Sequence, residues 1–160
     1  EVFTFNTLED FWKMQNNVYT TSEVISNTDY LMFKKHIKPE WEDPANKSGG
    51  KWVITLPIEE DFEEECDEAW TNLLLHIVGG LFSYEQMELI NGVIYSIRDK
   101  HQRMSIWCNV NPNSNEEHKK TLLQIGKLFK KLVQLPAKYK FLYQLHEKAL
   151  CHDLDNEAKL

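Results

Sequence analysis

The segment 116–133 most constrains the fold, because its apolar residues recur at the spacing of a single helical face. Glutamates stand at its start and lysines towards its end, which is the charge order that a helix dipole favours. The apolar face is formed by Leu122, Ile125, Phe129, Leu132 and Val133. The pattern therefore predicts one long amphipathic α-helix over 116–133.

Two further helices are predicted upstream of it. Thr7 and Asp10 have the spacing of a capping box, so a short helix is expected to begin there. Its apolar face would be formed by Leu8, Phe11 and Trp12. The acidic run 61–65 precedes an apolar-periodic stretch that ends at Gly79-Gly80, which predicts a helix with a negative start and a glycine stop. We interpret the run as a solvated helix entry, because it lacks the alternating ligands of a metal site.

β-Branched and aromatic residues mark the remaining elements as strands. The predicted strands are 29–37, 51–56, 93–98, 103–108 and 139–145. The third and fourth form a hairpin with Asp99-Lys100-His101-Gln102 at a basic tip, and a loop rich in Pro, Asn and Gly joins the first two. Because hairpin neighbours dominate and crossover helices are few, the expected fold class is α+β with an antiparallel sheet rather than a doubly wound fold.

Composition limits the protein class. With 160 residues and 42% apolar content, a single domain over 1–160 is expected, with 147–160 as a mobile tail. The net charge of −7 argues against a broad polyanion-binding surface and favours a small basic pocket for a short ligand. Cys66, Cys108 and Cys151 lack CxxC spacing, which predicts reduced thiols, a cytosolic or nuclear setting and no zinc site. No signal peptide or membrane span is predicted, and the non-Met first residue predicts a longer parent chain.

Trp41 and Glu42 are adjacent and lie in the predicted loop between the first two strands. An indole can stack on a purine, and a carboxylate can accept two parallel hydrogen bonds from N1–H and the exocyclic NH2 of guanine. A positive charge on the base, as in N7-methylguanine, would add a cation–π contribution of about 1–2 kcal/mol. The other interpretation is that Trp41 only covers an edge of the core.

A basic cluster surrounds the predicted hairpin tip. Arg98, Lys100 and Arg103 could hold a di- or triphosphate together with Lys51 on a neighbouring strand, because guanidinium and ammonium groups both pair with phosphate oxygens. The alternative is a solvated hairpin. Trp107 could line the same cavity or belong to the core. No P-loop, HExxH or local catalytic arrangement is found, so neither an enzyme nor a metal or other cofactor is predicted.

In combination the motifs become specific. They are TLEDFW at 7–12, DYLMFKKHIKPEWEDPANKSGGKWVITL at 29–56, IRDKHQRMSIW at 97–107, IGKLFKKLVQLP at 125–136 and YQLH at 143–146. In this order and spacing the chain closely resembles the eukaryotic translation initiation factor 4E family, which binds the 7-methylguanosine cap of messenger RNA. The resemblance implies a curved antiparallel sheet with three α-helices on its convex face and the cap on its concave face.

The resemblance also implies a role for individual residues. Trp41 would be one wall of the stacking slot, Glu42 would pair with the guanine edge, and Trp107 would contact the N7-methyl group. Along the triphosphate it places the basic residues Arg98, Lys100, Arg103 and Lys51. On the convex side it places a surface for a short helical motif of scaffold and repressor proteins, formed by Leu8, Trp12, Leu75 and Gly79.

Two departures from the family pattern keep a second hypothesis open. The family's other stacking tryptophan lies upstream of the first helix, and no tryptophan is left here to supply it, so we expect it, with the first strand, in a segment preceding residue 1. Thr71 and Asn72 replace an apolar and an acidic residue of the convex surface. The leading hypothesis is a monomeric, cytoplasmic or also nuclear, cap-binding initiation factor. The alternative is a divergent paralogue that docks proteins or represses translation with weak or no cap binding.

Overall fold

The computed structural model describes residues 3–58, 63–135 and 138–149. Its strands form one five-stranded antiparallel sheet in the order β1-β3-β4-β2-β5. They are β1 Thr28–Phe33, β2 Gly50–Pro57, β3 Ile90–Ile97, β4 His101–Cys108 and β5 Phe141–Leu145. The predicted α+β class and antiparallel sheet are confirmed.

Six helices lie within the described residues. They are α1 Leu8–Gln15, α2 Pro44–Lys47, α3 Glu63–Val78, α4 Tyr84–Leu89, α5 Glu116–Val133 and α6 His146–Ala149. The three longest are the predicted ones, and α5 has the predicted bounds. The hydroxyl of Thr7 accepts a hydrogen bond from the amide N–H of Asp10 (3.2 Å), which confirms the predicted N-terminal cap of α1.

The core lies between one face of the sheet and α1, α3 and α5. Alternate strand residues supply that face; Trp52, for example, donates its Nε1–H to the carbonyl of Leu122 on α5 (2.9 Å). Trp70 of α3 packs on Tyr95 of β3, with 5.6 Å between ring centroids. Trp52 and Trp70 are 4% and 6% exposed, so their predicted structural role is confirmed.

The intervening residues of the central strands define the opposite side, here called the open face. Strand register arranges this face in rows that cross the sheet. One row joins Phe33, Gly92, Trp107, Lys51 and Gln144. A second row joins Leu31, Ile94, Ser105, Val53 and Leu142, and a third joins Asp29, Ser96, Arg103 and Thr55. The side chains that face away from the core are therefore fixed by register.

Several predicted boundaries are wrong. The first strand does not reach residue 37, because a turn from Lys34 to Ile37 places His36 at φ +73°, which an extended strand cannot accommodate. The hairpin turn is 98–100 rather than 99–102, closed by a bond from the Arg98 amide to the His101 carbonyl (3.0 Å). The last strand begins at residue 141 rather than 139.

Three short helices replace predicted loop or tail. Asp43 caps α2 within the predicted loop 39–50, and the capping box of Ser83 and Gln86 starts α4. The first residues of the predicted tail, 147–149, belong to α6, and the rest of the tail lies outside the described residues. No helix within the described ranges is long and apolar enough to cross a membrane.

Candidate functional site

The loop that carries Trp41 and Glu42 leaves the sheet at one definite end. It runs from the last residue of β1, Phe33, to the first residue of β2, Gly50, so it emerges beside the row of open-face residues that contains Trp107. Trp41 is half-buried and Glu42 is exposed. The Glu42 carboxylate forms no hydrogen bond or ion pair with any described residue, which leaves its oxygens available as acceptors for a ligand.

Trp107 lies in an aromatic stack on the open face. Its ring meets Phe33 edge to face (centroids 5.6 Å apart, 74° between planes) and packs at a tilt on His146, the first residue of α6 (4.2 Å, 38°). With Phe33 and His146 packed against it, Trp107 is only 8% exposed. The buried indole Nε1–H has no hydrogen-bond partner among the described residues, so it is an unsatisfied donor on this face.

Lys51 is paired with Trp107 across β2 and β4, and its ammonium lies 5.6 Å from the indole centroid. Burial lowers the pKa of Lys51, and the positive charge of Arg103 lowers it further. No described carboxylate forms an ion pair with Lys51. A cation that is both partly desolvated and repelled by a neighbouring cation favours the approach of an anion.

Arg103 stands further along the same face of β4. It pairs with Thr55 on one side and Ser96 on the other, is exposed, and has no ion-pair partner among the described residues. The pKa of His101 is lowered by burial first and then by the charges of Arg103 and Arg98. Positive charge is therefore concentrated along this part of β4 although the chain carries a net charge of −7.

Arg98 and Lys100 belong to the hairpin turn, at the end of the sheet opposite the Trp41 loop. Lys100 is exposed. The Arg98 guanidinium already donates two bonds to the carboxylate of Asp29 (2.9 and 3.0 Å) and further bonds to the carbonyls of Thr28 and Ile97. Its orientation is thus fixed by β1, which leaves fewer of its five N–H donors for a phosphate than the isolated side chain has.

The sequence-predicted residues therefore fall into three groups. Lys51, Arg103 and Trp107 share the open face, with the Trp41-Glu42 loop at one end and the Arg98-Lys100 turn at the other. Sequence reasoning missed the contributions of Phe33 and His146. No local pattern indicates that these two rings pack on Trp107, because the three residues come from separate elements.

The predicted partner-helix surface is divided between two helices. On α1, Leu8 and Trp12 are 56% and 44% exposed, whereas Phe11 of the same predicted apolar face is buried in the core. At the end of α3, Leu75 is partly buried and the following Gly79 is exposed, with its amide bonded to the Leu75 carbonyl (2.7 Å). Exposed apolar side chains on α1 are suited to an apolar partner surface.

The sequence matches the family described as eukaryotic initiation factor 4E over residues 1–159. It is 37% identical to eukaryotic translation initiation factor 4E1 of Drosophila melanogaster, an alignment that covers 94% of this chain and 54% of that protein. It is 39% identical to eukaryotic translation initiation factor 4E-1B of Danio rerio, covering 89% of this chain and 63% of that protein. The chain thus spans between about half and two thirds of the length of these relatives.

The structure is similar to two solved nematode proteins. Ascaris suum eIF4E-3 in complex with m7G cap matches with a TM-score of 0.82 and 28% identity, over 98% of this chain and 81% of that one. Caenorhabditis elegans eIF4E-3 in complex with the 4E-binding protein Mextli matches with a TM-score of 0.81 and 29% identity, over 91% of this chain and 79% of that one. Sequence and structure agree, and the chain belongs to the eukaryotic initiation factor 4E family.

Proposed function

We propose that this chain binds the 7-methylguanosine 5′ cap of messenger RNA and presents it to a scaffold initiation factor, acting by recognition rather than catalysis. One observation carries the proposal: Lys51 and Arg103, cations without ion-pair partners among the described residues, share the open face with Trp107. The loop with Trp41 and Glu42 emerges at the Trp107 end of that face. The relative from Ascaris suum was solved with m7G cap.

The base would be recognised at the Trp107 end of the open face. Trp41 stacks on the purine, and the unpaired Glu42 carboxylate accepts the two N–H groups of the guanine edge. Trp107, which is held by its aromatic neighbours, contacts the methylated N7 side of the base. The positive charge that methylation places on the ring strengthens the stack, so methylated guanine is preferred.

The phosphates would extend from the base along β4. Arg103 lies four positions before Trp107 on β4, which corresponds to about 13 Å along a strand. That distance suits a nucleotide with its phosphate chain. Lys51 and Arg103 provide the first charges, and Lys100 with the oriented Arg98 continues the positive path to the hairpin turn. Charge-assisted bonds of this kind add affinity that is independent of the base.

The opposite side would bind protein partners. Leu8 and Trp12 expose apolar surface on α1, and Leu75 and Gly79 stand at the end of α3. A scaffold or repressor could dock a short amphipathic helix there with Trp12 as its anchor. The C. elegans relative was solved with the 4E-binding protein Mextli. We propose a single cap-binding domain that acts as a monomer, without a cofactor, in the cytoplasm and also in the nucleus.

Tryptophan fluorescence titration with 7-methyl-GTP and with GTP tests this function. Wild type should be quenched strongly by the methylated nucleotide and much less by GTP, because stacking on an indole quenches its emission. Glu42→Ala should weaken 7-methyl-GTP binding by about 10- to 100-fold, the cost of losing a bidentate base contact. Glu40→Ala is the matched control, because Glu40 is also an exposed glutamate of this loop and its carboxylate already pairs with Lys38 (3.5 Å).

Equal responses of wild type to the two nucleotides would count against cap binding and support the alternative, a divergent paralogue that docks proteins or represses translation. So would a Glu42→Ala variant whose discrimination between the nucleotides equals that of wild type. Glu40→Ala should retain the wild-type affinity, which separates the guanine contact from a general loss of negative charge in the loop.

A further inference from the structure

Two fully buried carboxamides hold the loop in which Trp41 and Glu42 lie. Asn46 is 0% exposed and Asn91 is 2% exposed, although both side chains are polar. The amide nitrogen of Asn46 donates to the carbonyl of Lys38 (2.8 Å) and to that of Glu40 (2.9 Å). Both of its N–H groups are therefore used to fix the backbone that leads directly into Trp41.

Asn91 connects this loop to the strand beside Trp107. The register of β3 against β4 skips between Ile90 and Gly92, so Asn91 is the extra residue of a β-bulge. Its amide nitrogen donates to the carbonyl of Ala45 (2.8 Å) and to Oδ1 of Asn46 (2.8 Å). The next residue, Gly92, is the direct partner of Trp107. A path of hydrogen bonds thus runs from Asn91, the chain neighbour of Gly92, through Asn46 to the carbonyl of Glu40 in the peptide before Trp41.

Asp43 closes the same loop on its other side. Its carboxylate accepts the amide of Lys38 (2.9 Å) and the amide of Ala45 (2.8 Å), and these bonds lower the pKa of Asp43. Lys38 is consequently held through both its N–H and its carbonyl. The short stretch from Pro39 to Glu42 is anchored where it enters and where it leaves, so Trp41 and Glu42 project from a backbone with little freedom.

We propose that Asn46 and Asn91 are positioning residues for base recognition, which fix the Trp41-Glu42 loop relative to Trp107 and thereby set the preference for methylated guanine. The proposal rests on the cap-binding function proposed above. Neither side chain needs to touch the ligand. The buried carboxamides act by holding one wall of the base site at a fixed distance from the sheet, whereas Lys51 and Arg103 are held by β2 and β4 themselves.

Removal of the Asn91 carboxamide should separate base recognition from phosphate binding. Without it, the carbonyl of Ala45 and Oδ1 of Asn46 lose their shared donor, and the loop is free to shift. A displacement of about 1 Å is enough to spoil an aligned stack and a bidentate pair, with a loss on the order of 10-fold or more. The strand-borne cations keep their places, so an inorganic polyphosphate should bind as before.

The experiment combines ligand binding with hydrogen exchange on the folded 160-residue chain. In Asn91→Ala, the ratio of the GTP and 7-methyl-GTP dissociation constants should fall about 10-fold, with inorganic triphosphate affinity unchanged. Amides of residues 38–47 should exchange faster in the ligand-free variant. Asn91→Ser and Asn46→Ala provide second variants. The matched control is Thr21→Val, which removes a buried hydroxyl that donates to Asp67 at the hairpin end of the sheet.

Thr21→Val should lower the stability of the protein without changing the ratio of the GTP and 7-methyl-GTP dissociation constants. The positioning role would be overturned if the amides of residues 38–47 exchanged no faster in the asparagine variants than in wild type. It would also be overturned if they exchanged faster but the ratio of the GTP and 7-methyl-GTP dissociation constants did not change. If wild type itself shows no preference for 7-methyl-GTP, the cap-binding proposal and with it the selectivity role fail. Faster loop exchange in the variants would then still assign the ordering of the loop to the two asparagines.

Discussion

At the residue scale, folding gives Trp107 an environment that the sequence does not show. Alternation along β4 predicts a side chain on one face of a strand, but not which face or what covers it. Phe33 and His146 approach Trp107 from β1 and α6, at centroid distances of 5.6 Å and 4.2 Å. By contrast, the Trp41-Glu42 pair could be selected from sequence because the two residues are adjacent in one loop.

His146 should make the protein sensitive to acid. It is 2% exposed, and burial together with the charge of Lys51 lowers its pKa from 6.5 to about 4. Between these values the unfolded chain binds a proton that the folded chain does not, so the free energy of unfolding falls as pH falls through this window. Above pH 6.5 the contribution is complete. At about pH 5 the loss should be about 2 kcal/mol relative to neutral pH.

Urea unfolding of wild type and His146→Gln at both pH values measures this effect. The variant cannot take up the proton, so its free energy of unfolding should fall about 2 kcal/mol less than that of wild type. His36→Gln serves as the matched control, since it makes the same substitution at an exposed histidine. If acid lowered the free energy of unfolding of His146→Gln as much as that of wild type, His146 would not be the source of the acid sensitivity.

At the element scale, helices and strands with a persistent sequence pattern could be predicted, whereas element ends and bulges that depend on tertiary contacts could not. The helix 116–133 and the cores of all five strands were predicted because their patterns persist over several turns or alternations. The end of β1 is set by a left-handed His36, and the bulge at Asn91 is set by the loop that it binds. The start of α4 could have been predicted from sequence, because Ser83 and Gln86 have the spacing of a capping box.

Gly126 fixes the distance between α5 and the sheet. A Cβ atom at this position would lie 2.6 Å from two ring atoms of Trp52, whose indole is also bonded to the Leu122 carbonyl. Gly126→Ala should gain up to about 1 kcal/mol of helix propensity but lose about 1–3 kcal/mol through overpacking. We expect net destabilisation in urea unfolding, because the anchored indole has little room to move.

Gln124→Ala is the control for this prediction, because Gln124 lies on the same helix and is exposed. It should alter the free energy of unfolding by no more than about 0.5 kcal/mol. If Gly126→Ala were more stable than wild type, Trp52 would have to be free to move, and the close approach of α5 would not depend on glycine.

At the scale of the whole molecule, the sheet separates two kinds of surface. Its helix-covered side contributes the core and exposes apolar residues on α1, whereas its open face concentrates lysine and arginine. The net charge of −7 predicts repulsion of an anionic ligand at long range, and the cluster on β2 and β4 predicts attraction at short range. The two effects respond to salt with opposite signs.

The salt dependence of 7-methyl-GTP affinity therefore decides which effect dominates. Added salt screens charges beyond about 10 Å at 0.1 M, so affinity would rise with salt if repulsion by the whole molecule controlled binding. We expect affinity to fall instead, because Lys51 and Arg103 would contact the phosphates directly in the proposed complex. Arg103→Gln should weaken binding and flatten the slope of log Kd against log salt. Lys130→Gln, an exposed change on α5, removes the same charge and should leave the slope intact. Equal slopes in all three proteins would show that the phosphates are not bound at Arg103.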